Sequence, residues 1–135
     1  MNRPPEDRRG PAPIKAWTYV LPCGWTVLAG RTDADNDRLS LKIAKANDWW
    51  FHVKGRPGSH VVLQVPAGEE ADRATLEQAA AVAAYHSKVR ESNSVAVNGC
   101  QARYVSKPRG AKPGTVMIRK EKTFVVRPGV PETRP

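Results

Sequence analysis

The apolar residues of the chain fall mostly into short runs rich in aromatic and β-branched side chains. Glycine and proline separate these runs, a pattern typical of β-strands joined by tight turns. The sequence predicts strands at residues 17–21, 25–29, 49–53, 61–65, 95–97, 102–105, 115–119 and 123–127.

Two other segments carry apolar residues at the spacing of an α-helix. In the first, these residues lie three or four positions apart: Leu39, Ile43 and Ala46. Asp35 or Asn36 can serve as its N-cap, because short polar side chains accept hydrogen bonds from the first helical amides. We expect this helix to end near Asn47, just before the next predicted strand.

The second helix is predicted to begin at Thr75, which can form a capping box with Gln78. It should continue to about Arg90. One of its faces is narrow and made mostly of small side chains: Leu76, Ala79, Ala80, Ala83 and Ser87. Because small side chains permit close approach, we expect this helix to lie on a sheet.

These elements indicate the fold class and the domain organisation. Strands outnumber helices and several are linked as hairpins, so we expect an α+β fold with two main helices on an antiparallel or mixed sheet. The length of 135 residues suits one domain, which we place at residues 14–128. Residues 1–13 are expected to form a disordered leader, and residues 129–135 a disordered tail.

The charge of the chain is strongly positive and unevenly distributed. The formal net charge is +9, and residues 100–135 hold nine of the 22 basic side chains but two of the 13 acidic ones. This asymmetry favours a phosphate-rich partner, although a solvated basic face would have the same totals. The sequence has no apolar run of membrane-spanning length and no signal-type segment, so we expect a cytoplasmic protein without a membrane partner.

The cysteines and histidines do not have the spacing of metal ligands. Neither Cys23 nor Cys100 belongs to a CxxC pair, and the spacing of His52, His60 and His86 matches no HxxxH motif. We therefore expect neither a metal site nor a cofactor. Both cysteines are expected to be reduced, buried thiols.

A small enzyme that uses His52, Ser59 and His60 is an alternative from another functional class. Ser59 follows Gly58, but no GxSxG motif surrounds it. A pocket holding a histidine of perturbed pKa would favour the enzyme, and an open basic groove would favour binding. We expect no catalytic residues.

The connection after the third predicted strand carries side chains suited to a polyanion with bases. Lys54 and Arg56 supply cations, and His52 and His60 flank them. The histidines can hydrogen-bond a phosphate or a base edge, or they can tie the loop together, and the sequence leaves both roles open. Trp49 would stack on a base if it is exposed.

Residues 107–114 (KPRGAKPG) form a second basic loop. Its amides, with the cations of Lys107, Arg109 and Lys112, could cradle phosphates. The GxxxxGK[ST] spacing of a nucleotide-hydrolysing loop is absent. An ordinary basic hairpin loop would have the same local pattern.

Five blocks of sequence resemble a known family. They are GRTD at 30–33 with NDRL at 36–39, DWWFHV at 48–53, PGSHV at 57–61, the alanines at 79–80 with AAYHSK at 83–88, and GAKPGTV at 110–116. In this order they resemble the NFACT-R domain, the C-terminal RNA-binding part of fibronectin-binding protein A-like proteins of ribosome-associated quality control. The resemblance extends from about residue 17 to residue 128.

The resemblance implies a role in translation. In the longer relatives, the domain helps hold transfer RNA against the large ribosomal subunit while C-terminal tails are added to stalled chains. A eukaryotic branch couples a similar domain to DNA binding. We expect the elongation activity not to carry over, because these 135 residues do not include counterparts of the family's N-terminal NFACT domain, helix-hairpin-helix and coiled coil. Gly99 and Cys100 also replace an aromatic and hydroxyl pair of the family.

We therefore expect a non-catalytic protein that binds transfer RNA or ribosomal RNA, with the large ribosomal subunit as a further partner. The expected phosphate contacts are Arg31, Lys54, Arg56, Lys107, Arg109 and Lys112. His52 and His60 would position the RNA backbone or a base, and Trp49 would stack. The alternative is a general or DNA-preferring nucleic-acid-binding module, which differs in its recognition of the 2′-hydroxyl.

Overall fold

A computed structural model describes residues 15–131 of the chain. Within this range the elements are β1 Ala16–Val20, β2 Thr26–Gly30, α1 Asp33–Arg38, β3 Trp49–Val53, β4 Val61–Leu63, α2 Arg73–Tyr85, β5 Val95–Gln101, β6 Val105–Ser106, β7 Met117–Ile118 and β8 Lys122–Val126. The predicted leader at 1–13 lies outside the described residues. No helix in the described part is both long and apolar enough to cross a membrane.

Six of these strands form one antiparallel sheet in the order β1-β2-β4-β3-β5-β8. β6 and β7 pair separately as a two-stranded ribbon. The predicted α+β class is confirmed, and of the two expected sheet types the antiparallel one is found. Two pairs of sequential strands, β1–β2 and β3–β4, are neighbours in the sheet, as the predicted turns between them require.

Helix α2 covers one face of the sheet and forms the larger core with it. Ala79, Ala80 and Ala83 on the helix are fully buried, so the predicted small-residue face lies against the strands. Phe51 and Leu63 are fully buried beneath it. Because alanine extends little beyond the backbone, the helix can approach the sheet closely enough to exclude water from these large side chains.

The opposite face is covered by α1, by the π-helical turn Leu39–Ile43 that continues it, and by the β6–β7 ribbon. The buried residues of this smaller cluster are Leu28, Leu39, Trp50, Val62 and Cys100. Side chains alternate along a strand, so Trp50 enters this cluster while Trp49 and Phe51 point towards α2. Both faces of the central strands are therefore buried.

The first helix begins earlier than predicted. Its N-cap is Thr32, whose hydroxyl accepts a hydrogen bond from the Asp35 amide at 3.1 Å, and the prediction of Asp35 or Asn36 as the cap is wrong. The side chain of Asn36 is used elsewhere: its Oδ1 accepts a hydrogen bond from the His60 amide at 3.0 Å. A long-range contact thus replaces the local capping role.

The helical segment also ends earlier, at Ile43 rather than near Asn47. The fully buried carboxylate of Asp48 accepts hydrogen bonds from the amides of Lys45, at 2.9 Å, and Val65, at 2.8 Å. The first of these bonds fixes a turn where the helix would otherwise continue.

Both ends of α2 differ from the prediction as well. Asp72 is the N-cap and accepts a hydrogen bond from the Thr75 amide at 2.8 Å, so Thr75 lies inside the first turn. The helix ends at Tyr85 instead of near residue 90. The Ser87 hydroxyl donates to the Ala84 carbonyl at 2.7 Å and so stabilises a turn at this point.

Two predicted strands are shorter in the structure. Ala102–Tyr104 forms a 3-10 turn, leaving Val105–Ser106 as the strand, and the strand expected at 115–119 contracts to Met117–Ile118. The amide of Ala102 donates to the Asp48 carbonyl at 2.8 Å. This bond draws the chain away from the straight path of β5.

The first residues of the tail that is predicted to be disordered, 129–135, contact the folded domain in the structure. The amide of Gly129 donates to the Ala81 carbonyl of α2 at 3.1 Å, and Val130 is partly buried against the core. Residues 132–135 lie outside the described range. Burial of an apolar side chain explains why the chain is held here despite its high proline content.

Gly99, one of the two residues that depart from the family pattern, lies beneath a pair of aromatic rings. Phe51 and Phe124 pack edge to face with ring centres 5.8 Å apart. A Cβ atom at Gly99 would lie 2.7 Å from ring carbons of Phe51 and 2.9 Å from Phe124. This packing requires the absence of a side chain at position 99.

We predict that Gly99→Ala lowers the free energy of unfolding by about 1–3 kcal/mol, because the added methyl group overpacks the core. Denaturant unfolding followed by circular dichroism measures the change. Gly129→Ala is the matched control, since a Cβ there meets no atom within 4 Å. Equal stability of the two variants would contradict the packing argument.

Candidate nucleic-acid interface

A cleft of about 320 Å³ opens where the end of β2, the loop before β4 and the turn after α2 meet. Three exposed cations line it, Arg31, Lys88 and Arg90. Trp17 of β1 adds aromatic surface, and Asp33 contributes a carboxylate. The cleft therefore combines positive charge with a ring, the two features that favour a nucleic acid over a simple anion.

Main-chain contacts hold the walls of the cleft together. The Ser59 amide donates to the His86 carbonyl at 3.0 Å, and Gly58 forms a β-bridge with Ser87. A Cβ on Gly58 would lie 3.1 Å from the Ser87 Cβ, so glycine permits this close approach. The Ser59 hydroxyl donates to the Gly30 carbonyl at 2.7 Å and ties the same loop to β2.

Aromatic side chains support the floor of the cleft. The His86 imidazole stacks on Trp17 with ring centres 4.4 Å apart and an angle of 18° between the planes. The Tyr19 hydroxyl lies 2.6 Å from Nε2 of His86. His86 follows the last residue of α2, so these contacts join the end of that helix to the edge strand β1.

Both arginines of the cleft lie over aromatic rings. The guanidinium carbon of Arg31 is 5.0 Å from the centre of the Trp17 ring. That of Arg90 is 4.8 Å from the centre of the Tyr85 ring. Cation–π attraction holds each charged group near the cleft while leaving it exposed.

His60 lies in the interior of the protein, with 3% of its surface exposed. Its Nδ1 is 2.8 Å from the Ser40 hydroxyl, which also accepts a hydrogen bond from Nε1 of Trp50 at 2.9 Å. The ring also makes a backbone hydrogen bond at Gly114.

His52 is half-buried beside this network, with its ring centre 5.4 Å from that of His60. The pKa of His60 is lowered to about 4, chiefly by burial and then by the nearby His52 ring, while Asp37, the hydrogen bond at Gly114 and Asp33 partly oppose the shift. Burial likewise lowers the pKa of His52. Both rings are thus neutral at pH 7. The sequence left two roles open for the histidines, RNA contact and tying the loop together, and the buried position of His60 favours the second.

The second basic loop is fastened to α1. Lys107 Nζ forms an ion pair with Asp37 at 3.0 Å and donates to the carbonyls of Lys112, at 2.6 Å, and Thr115, at 3.1 Å. The other Asp37 carboxylate oxygen accepts the Gly114 amide at 2.9 Å. The ammonium of Lys107 therefore holds the loop in shape.

The remaining cations of this loop, Arg109 and Lys112, are exposed. The loop contacts α1, and the first turn of α1 lines the cleft through Asp33. Lys54 and Arg56 are exposed in the connection that leads to the cleft residues Pro57 and Gly58. These cations and the cleft therefore belong to neighbouring parts of the surface.

Trp49 lies on the other side of the sheet. It is half-buried, stacks on Phe51 with ring centres 6.1 Å apart, and meets the edge of Phe124. Glu69 and Glu70 line the neighbouring depression. Strand alternation separates Trp49 from the histidines, so the structure does not bring all the predicted site residues together.

Sequence reasoning missed three residues of the cleft: Trp17, Lys88 and Arg90. The sequence pattern predicts only a strand at Trp17, and it places the two cations within the second helix. The sequence did contain a signal for the two cations. Lys88 belongs to the AAYHSK block, and Arg90 lies two residues further on, near the predicted end of the helix, so both side chains can reach the same site.

The residues of the alternative enzyme have different partners. The Ser59 hydroxyl donates to the Gly30 carbonyl, whereas the ring of His60 bonds to Ser40. Burial and then Glu121 raise the pKa of the Cys100 thiol to about 12, which disfavours the nucleophilic thiolate. Among residues 15–131, no three His, Cys, Asp or Glu side chains form a group able to hold a metal ion.

Cations gathered around an aromatic-lined cleft on an α+β domain are features that suit a polyanion carrying bases. The chain belongs to the family of NFACT protein RNA-binding domains, whose model matches residues 15–120. The resemblance inferred from the sequence blocks is confirmed, and RNA binding is the function that the family description gives.

Individual proteins support this assignment. The chain is 41% identical over 111 residues to the Rqc2 homolog RqcH of Bacillus subtilis and 43% identical to that of Streptococcus suis, in both cases over 82% of its own length. It spans about a fifth of these relatives, 19% and 20%. The solved C-terminal part of the Streptococcus suis fibronectin/fibrinogen-binding protein matches 96% of this chain and 52% of that one, with 35% identity and a TM-score of 0.78.

We predict that the folded state loses stability as the pH falls from 6.5 to about 4. The pKa of His60 is lower in the folded protein than the ordinary value of 6.5, so acid protonates the unfolded chain first. The loss is at most on the order of 3 kcal/mol. His52 acts in the same direction.

Denaturant unfolding at a series of pH values measures this loss. His60→Asn removes the titrating group and should flatten the profile between pH 6.5 and 4, even if it lowers stability at pH 8 by breaking the Ser40 contact. A variant profile as steep as that of the wild type would show that His60 is not responsible.

Proposed function

We propose that this chain is a non-catalytic RNA-binding domain that holds transfer RNA or ribosomal RNA through phosphate contacts, in the cytoplasm and in the setting of ribosome-associated quality control. One observation carries the proposal: Arg31, Lys88 and Arg90 line a single cleft whose walls are fastened by main-chain hydrogen bonds. Such a fixed cationic site suits phosphates, because little ordering is needed when they bind.

The surrounding cations extend this surface. Lys54 and Arg56 approach it along the loop before β4, and Arg109 and Lys112 belong to the loop that is fastened to α1. All four are exposed. We assign them to phosphate contacts that orient the RNA, while Lys107 keeps its structural role as the partner of Asp37.

His60 supports the site indirectly in this proposal. The main chain of His60 accepts the Gly30 amide at 3.0 Å and donates to Asn36 Oδ1 at 3.0 Å. Gly30 and Asn36 both line the cleft. His60 therefore positions a wall of the cleft, and we assign it a positioning role.

The proposed setting draws on the relatives, which are named Rqc2 homologs. Their much greater length means that the domain would supply RNA contacts and other parts would supply any further activity. The large ribosomal subunit is accordingly proposed as the wider partner. Transfer RNA, ribosomal RNA fragments and a DNA of the same sequence are the probes that separate the nucleic-acid alternatives.

We predict that RNA affinity falls steeply with salt, and that the log–log slope decreases by roughly 0.7–0.9 for each phosphate contact removed. The double variant Arg31→Ala with Lys88→Ala should lower the slope by up to two such steps, and so should Arg109→Ala with Lys112→Ala. Fluorescence anisotropy with labelled transfer RNA across a salt series measures both slopes.

Arg73→Ala is the control for these variants. Arg73 is exposed and begins α2, at the end of the helix opposite the cleft, so its removal should leave the slope unchanged. Thermal melts confirm that each variant is folded. Salt-independent binding by the wild-type protein would refute the phosphate-contact proposal.

A further inference from the structure

We infer that the cleft receives one unpaired nucleotide of a bound RNA, with its base stacked on a guanidinium plane and its phosphate held by the neighbouring cations. This inference rests on the proposed function and adds the chemical class of the group that enters the cleft. Its basis is that both arginines of the cleft are held over aromatic rings, Arg31 over Trp17 and Arg90 over Tyr85.

A guanidinium group fixed over a ring has a second flat face. Bases in single-stranded RNA stack on arginine planes as well as on aromatic rings. Arg31 and Arg90 are both exposed, so their guanidinium groups remain accessible to a ligand. A phosphate alone would be served equally well by lysines, which are compact point charges. Two arginines held over aromatic rings at one cleft therefore favour a flat ligand that also carries negative charge.

The size of the cleft agrees with a single nucleotide. Its volume of about 320 Å³ is at the low end of the range of small-molecule sites. A double helix keeps its bases stacked inside and presents phosphates and groove edges, so it has no free base face for an arginine plane. Loops, bulges and single-stranded ends have such faces.

The charges in the cleft determine which wall the phosphate of the nucleotide faces and which wall its base faces. Lys88 and Arg90 follow α2, whereas the Asp33 carboxylate lies on the α1 wall. The carboxylate disfavours a phosphate beside α1, because like charges repel. We therefore place the phosphate near Lys88 and the base nearer to Arg31.

Two hairpin RNAs test this inference, one with a blunt end and one with the same stem and a single-stranded extension of three nucleotides. The extension should raise the affinity of the wild-type protein by roughly 5- to 150-fold, the range expected for one stacked base. Arg31→Lys keeps the charge but removes the plane. It should abolish most of that gain, measured as the ratio of the affinities for the extended and the blunt hairpin, and Arg90→Lys should act in the same direction.

Arg119→Lys is the matched control. Arg119 is exposed and also lies over an aromatic ring, 5.8 Å from the centre of Tyr104, but it does not line the cleft. This variant should keep the full gain from the extension. Thermal melts of all three variants verify their folding.

The outcomes separate this inference from the proposed function. If the wild-type protein binds the two hairpins equally, or if Arg119→Lys loses as much of the gain as Arg31→Lys, the single-nucleotide site is refuted while phosphate binding stands. If neither hairpin binds, the proposed RNA-binding function fails together with the inference.

Discussion

A buried chain of hydrogen bonds from Trp50 through Ser40 to His60 holds this domain together on the side of its smaller core. It connects the sheet to the π-helical turn after α1, and the His60 ring extends it to the basic loop at Gly114. Buried polar groups stabilise a fold only when each has a partner. In the described residues none of the buried side-chain polar atoms is left without one.

This network determines where the cleft forms. His60 begins the segment that becomes β4, and its amide is bound by the Asn36 side chain. Gly30 leaves room for Asn36, since a Cβ there would lie 2.1 Å from Asn36 Oδ1. The start of α1 is thus pressed against the end of β2, which brings Arg31 to the cleft. The interior polar contacts and the surface cations are parts of one arrangement.

The repeating apolar patterns predicted most of the fold, because strand alternation and helical spacing are local properties of the sequence. What failed were the element ends, where distant residues intervene: Asn36 bonds to His60 instead of capping α1, and Asp48 stops the helical segment through Lys45. For the same reason, the basic loops could be recognised from sequence, but the cleft could not. Trp17 and Lys88 are more than seventy residues apart, and the packing of the end of α2 against the edge strand β1 brings them together.

The main-chain bridge between Gly58 and Ser87 has a consequence for how this site can change. Because backbone atoms fix the spacing of the walls, the side chains on the rim can be exchanged without moving those walls. A different set of rim residues would read a different ligand in the same frame. The backbone of the fold thus sets the width of the cleft, whereas a few replaceable side chains set its ligand preference.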